Sequence, residues 1–191
     1  MKNNKTEMKL FYIHYFEDLE KIVYSRQESP RLLLAGPCGV GKTTIARLLC
    51  KNDRRISQIC MDELKEKYSY GKNPCSVLNF DFEKCLGPII GKIKDGFVID
   101  TPGLTIFNTF RRNMSDVNKI KQAKDKYSFE IIMLVSTREK IIKGYMNKAG
   151  SSKLRFDEDW HDWKKYEAPC WNYIKDYSVS LSKSEINLPN N

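Results

Sequence analysis

Apolar positions fall into short continuous runs, and between several of these runs they recur instead at helical spacing. Leu32–Ala35, Ile56–Met61, Phe97–Asp100, Glu130–Val135 and Tyr177–Leu181 read as strands, four of them followed by helix-like or loop segments. That alternation predicts βαβ units, hence a parallel sheet with right-handed crossovers. Ahead of the first strand, Phe16, Leu19, Ile22 and Val23 predict an N-terminal helix within Phe11 to Tyr24, ending before Ser29-Pro30. Three weakly patterned stretches, Lys65–Asp81, Leu104–Lys126 and Asn147–Tyr173, read as long loops or lids. In an α/β protein such loops cover the carboxyl ends of the strands, where ligands bind. No internal repeat appears, and 191 residues suit one domain, with 1–30 as a helical extension and about 147–173 as a lid-like segment.

The first strand runs into Gly36-Pro37-Cys38-Gly39-Val40-Gly41-Lys42-Thr43, which fits GxxxxGK[ST] in full and leads into an amphipathic run. Glycines let the backbone turn so that successive N–H groups face phosphate oxygens, and a helix N-terminus adds its positive end. Gly36, Cys38, Gly39, Val40 and Gly41 are therefore expected to cradle a nucleoside triphosphate. Lys42 would reach the β- and γ-phosphates, Thr43 would hold Mg²⁺, and Thr44 would donate to a phosphate.

Farther on, Gly96-Phe97-Val98-Ile99-Asp100-Thr101-Pro102-Gly103 is an apolar strand ending in an acid, and Asp100 is placed to share the Mg²⁺ shell with Thr43. Here the chain resembles two P-loop families. "GFVIDTPG" is similar to the strand of adenylate-kinase-like phosphotransferases that carries a "GFLLDG"-type signature, and "DTPG" is also the DxxG by which P-loop GTPases sense the γ-phosphate. A GTPase should add NKxD after the next-but-one strand. The nearest candidate, Asn147-Lys148-Ala149-Gly150, ends in glycine and follows a helix-like segment. A P-loop kinase should show a strand, a polar link, a basic helix and a cationic lid, and Glu130 to Lys140 followed by Ile141, Ile142 and Tyr145 has that order. Resemblance to adenylate-kinase-like and zeta-toxin-like kinases implies a three-layer P-loop NTPase fold with a central, mainly parallel five-stranded sheet flanked by helices. It further implies transfer of the γ-phosphate of ATP, or of GTP, with Mg²⁺.

Met61-Asp62-Glu63-Leu64 stands where kinases resembling shikimate kinase, polynucleotide kinase and zeta toxins carry an acid that orients the acceptor hydroxyl, so Asp62 is the candidate base. The alternative for Asp62 is a helix cap. Arg138, Lys148 and Arg155 are the cations expected to close over the phosphates. Two departures stand out. Leu104 to Thr109 lacks the arginine that adenylate-kinase-like enzymes place after the third strand, leaving Arg111 or Arg112 as substitutes, and the lid carries lysines where arginines are usual.

A net charge of +9 is concentrated in Arg111 to Arg155, where twelve Lys or Arg face four acids. This keeps a nucleic-acid 5′ end among the acceptors, beside a nucleotide, nucleoside or metabolite, although a solvated basic face is equally consistent. Trp160, Trp163 and Tyr166 would share a helix face, either stacking a base or, as the simpler reading, packing on the core. His161 reads as a surface or packing residue. Six scattered cysteines without CxxC read as free thiols of a cytoplasmic protein, and no apolar run is long enough for a membrane span. A GTPase-type switch and a non-catalytic nucleotide-binding module remain as alternatives. An AAA+ ATPase fits less well, because Asp100 is followed by Thr101 rather than glutamate.

Overall fold

The computed structural model describes residues 17–19, 21, 23, 28–67, 82–100, 114–147 and 150–180. Five strands, β1 (Arg31–Ala35), β2 (Ile56–Cys60), β3 (Gly96–Asp100), β4 (Glu130–Val135) and β5 (Tyr177–Ser180), form one sheet in the order β2-β3-β1-β4-β5. Every pairing is parallel. The three central strands are buried along nearly their whole length, as expected of a parallel sheet covered on both faces.

Side-chain alternation divides the core in two. Leu33, Ala35, Ile99, Ile131 and Met133 face α3 (Phe82–Ile90), α4 (Met114–Tyr127) and α7 (Ala168–Ile174) through Leu86, Val117, Ile120 and Trp171. Leu32, Leu34, Val98, Ile132 and Leu134 face α1 (Lys42–Asn52), α5 (Arg138–Met146) and α6 (Lys153–Asp162) through Ile45, Leu49, Ile141 and Phe156. Residues 17–19, 21 and 23 are helical, and Leu19 and Val23 bury against this second face. The result is a three-layer α/β sandwich of helices, parallel sheet and helices.

Two of the stretches expected to be loops are substantially helical. Residues 114–127 form α4, whose Val117, Ile120 and Ala123 are buried at three-residue intervals. In the expected lid, α6 runs through a π-helical turn at Trp163–Glu167 into α7. Of the third stretch, 61–67 is helical as α2 (Met61–Lys67) and 68–81 lies outside the described residues. Trp163 and Trp171 are core residues, and half-buried Trp160 stacks on Phe156 at 6.0 Å, so the aromatic run serves packing. Among the described residues Cys38, Cys50, Cys60 and Cys170 are free thiols, as expected. Cys85 instead is disulfide-bonded.

Candidate functional site at the carboxyl edge of the sheet

Residues 36–43 leave the carboxyl end of β1 as a loop in which Gly36, Gly39 and Gly41 have φ of 144°, 92° and 99°. A side chain is strained at each of these angles, which is why the turn needs glycine. Gly41 is the N-cap of α1, no side chain caps the helix, and its first turn contains no acid. The positive end of an eleven-residue helix is thus left without a side-chain acceptor. Lys42 is buried, and its Nζ donates to Gly36 O at 2.7 Å and Pro37 O at 3.0 Å. The ammonium therefore folds back over the loop. Thr43 and Thr44 follow in the first turn of α1, both half-buried.

Parallel register sets Asp100 level with the end of β1, from which this loop leaves. Asp100 ends β3 opposite Leu34 of β1 on one side and Cys60 of β2 on the other. It is 3% exposed. Oδ2 accepts from Gln58 Nε2 at 3.2 Å, whereas Oδ1 is fully buried without a hydrogen-bond partner. A buried carboxyl oxygen without a partner is costly unless a ligand or ion completes it. The Asp100 carboxylate and the Thr43 hydroxyl are oxygen donors, the type that suits a hard divalent ion such as Mg²⁺. Burial raises the Cys60 thiol above its usual range; the backbone N–H of Glu63 opposes this, and the Asp100 carboxylate adds to it.

Asp62 lies two residues beyond Cys60, exposed in the first turn of α2. Arg138 opens α5, where its guanidinium pairs with Asp157 of α6 and lies 5.4 Å from the centre of the Phe156 ring. Arg155 is exposed in the first turn of α6, its backbone N–H donating to the N-cap Ser152 Oγ at 3.2 Å. Lys148, Arg111 and Arg112 lie outside the described residues.

The basic quarter does not form one unopposed face among the described residues. Lys124 pairs with Asp176, Lys126 with Glu83 and Arg138 with Asp157, acids that a local count of the sequence omits.

Three features of the site escaped the motif reading. Gln58, the partner of Asp100, is a polar residue on an otherwise ordinary strand. Gly144 and Tyr145 of α5 press on the loop. A glycine inside a helical pattern was the available signal for them. A cavity of about 440 Å³ lies elsewhere, lined by Pro30, Arg31, Lys94, Asp95, Ser128 and Glu130 at the amino ends of the strands. It is on the wrong edge for the loop, and ligands of open α/β sheets bind at the carboxyl edge.

No protein-family model matches the chain. No curated protein matches it by sequence. Solved structures do match in fold. A gluconokinase from Sinorhizobium meliloti 1021 superposes with a TM-score of 0.51 at 12% identity, over 82% of this chain and 85% of its own. The shikimate kinase of Acinetobacter baumannii, solved with shikimate, gives 0.51 at 17% identity over 79% and 83%. That of Bacteroides thetaiotaomicron gives 0.53 at 13% over 80% and 86%. The chain thus shares its fold with these kinases: an all-parallel five-stranded sheet flanked by helices, with the GxxxxGK[ST] pattern complete where the chain leaves β1.

Proposed function

We propose that this protein is a P-loop kinase that transfers the γ-phosphate of ATP, with Mg²⁺, to a hydroxyl of a small-molecule acceptor. The observation that carries the reading is the buried, unpaired Asp100 Oδ1 beside a phosphate loop whose helix N-terminus is uncapped. One carboxyl oxygen is kept dry near a helix N-terminus that no side chain caps, and a divalent cation arriving with a phosphate would supply the partner that oxygen lacks. The gluconokinase and shikimate kinases of similar fold support a small hydroxylated acceptor.

In this reading backbone N–H groups of residues 38–43 hold the β- and γ-phosphates, and Lys42 exchanges its contacts with the Gly36 and Pro37 carbonyls for phosphate oxygens. Thr43 and Asp100 hold Mg²⁺, which when bound neutralises charge on the phosphate oxygens. Asp62 orients the acceptor hydroxyl in line and accepts its proton; its exposure leaves it open to a substrate. Arg138 and Arg155, on α5 and α6, supply cations over the phosphates once Arg138 releases Asp157.

Incubation with γ-labelled ATP and Mg²⁺, with and without pooled sugar acids, polyols and nucleosides, should place label on an acceptor. Release of free phosphate alone, indifferent to every acceptor, would overturn the kinase reading. With an acceptor identified, Asp62→Asn should lower the transfer rate by roughly 10²–10⁴-fold.

A further inference from the structure

Glycine in a helix interior costs roughly 0.5–1 kcal/mol relative to alanine, yet Gly144 stands inside α5. Its surroundings explain it. A Cβ at 144 would lie 2.2 Å from Gly39 O and 3.2 Å from Gly39 C. In the reverse direction, a Cβ on Gly39 would lie 2.6 Å from Ile141 O and 2.7 Å from Tyr145 N. The phosphate loop and α5 thus touch backbone to backbone, with no side chain between them.

The next residue ties this contact to α6. Tyr145 is 4% exposed, its ring stands edge-on to Phe156 at 5.3 Å, and its hydroxyl donates to Asp159 Oδ2 at 2.7 Å. Burial first, then this hydrogen bond and the nearby acid, push the Tyr145 hydroxyl up to about 12, so it remains a donor at all physiological pH. Both partners needed for the contact are therefore fixed, the loop by Gly39 and α6 by Asp159.

We propose that Gly144 and Tyr145 are positioning residues for the phosphate loop: α5 is a fixed wall that sets where Gly39 and its neighbours stand, and the Tyr145–Asp159 hydrogen bond fixes that wall to α6. Neither residue touches the reacting atoms. The inference deepens the proposed function, because the loop being positioned is the one assigned to nucleotide binding. A device of this kind suits a loop whose backbone amides must converge on one anion, since displacements near 1 Å at such a site cost on the order of 10²-fold.

The test uses amide hydrogen exchange of residues 38–43 in the ligand-free protein, beside the affinity for Mg-ATP. If α5 matters only as a helix, Gly144→Ala should stabilise it and leave the loop unchanged. The expected result is the reverse: exchange of 38–43 accelerates about tenfold or more while the strands keep their protection, and Mg-ATP affinity falls on the order of 10- to 100-fold. Tyr145→Phe keeps the ring and loses the hydrogen bond, and should produce a smaller change of roughly 3- to 10-fold. Asp159→Ala should match it, whereas Asp159→Asn, which retains an acceptor oxygen, should restore protection. Unchanged loop exchange in both Gly144→Ala and Tyr145→Phe would overturn the proposal. Altered loop exchange in a protein that binds no nucleotide even as wild type would support the coupling and count against the kinase reading alone.

Discussion

Lys42 illustrates how a charged residue can be held by its own loop. Its ammonium is buried against two carbonyls of its own loop, so truncation leaves acceptors unsatisfied as well as removing a charge. Lys42→Ala should therefore lower stability by about 1–3 kcal/mol in the absence of nucleotide, measured by urea denaturation. Tyr145 makes a prediction with a definite sign. Its folded value, about 12, lies above that of a free tyrosine, so the protonated form is favoured in the native state. The resulting stabilisation is complete below about pH 10 and is lost as pH rises toward 12. Alkaline denaturation curves of the wild type and Tyr145→Phe should accordingly converge above that window. At this scale the glycine-rich turn between β1 and α1 was legible because its residues stand in one contiguous spacing. Gln58 and Gly144 were not, because their roles come from neighbours 42 residues away in one case and on a different element in the other.

Elements were legible where burial is continuous and obscure where a few anchors hold a polar helix. β4 is apolar at almost every position and was read with its observed bounds, Glu130–Val135. α4 buries Val117, Ile120 and Ala123 and otherwise carries lysine, asparagine, glutamine and aspartate at most positions, so its periodicity is thin and tertiary contact decides its state. The region after α5 misled for another reason: a π-helical turn at Trp163–Glu167 shifts the face on which later residues fall, so a fixed helical spacing drawn from Trp160 does not carry through. Trp171, wholly buried beyond that turn, anchors α7 in the core. Trp171→Ala should cost about 3–5 kcal/mol in urea denaturation. Ser152→Ala, which removes only the N-cap of α6, should cost about 0.5–2 kcal/mol. If Ser152→Ala equalled Trp171→Ala, α6 rather than the tryptophan core would be what holds this region.

For the whole molecule, parallel topology gathers the ends of β1, β2 and β3 at one edge, so residues 36–43, Asp100 and the start of α2 with Asp62 all leave the sheet on that edge despite their separation along the chain. The opposite edge carries the cavity near Arg31 and Lys94, so a ligand bound at either edge would stabilise the fold and binding alone would not say where. Variants resolve this. At 100 times its Kd, Mg-ATP adds roughly 2.7 kcal/mol to stability, and at roughly 2–4 °C per kcal/mol for a chain of this size the Tm should rise by about 5–11 °C. Lys42→Ala should abolish the rise, and Asp100→Asn should remove the difference between Mg-ATP and ATP in chelator while leaving part of the shift. A rise that survived Lys42→Ala at full size would put the nucleotide away from the loop, and the unpaired Asp100 oxygen would then need another explanation than a phosphate-bound cation.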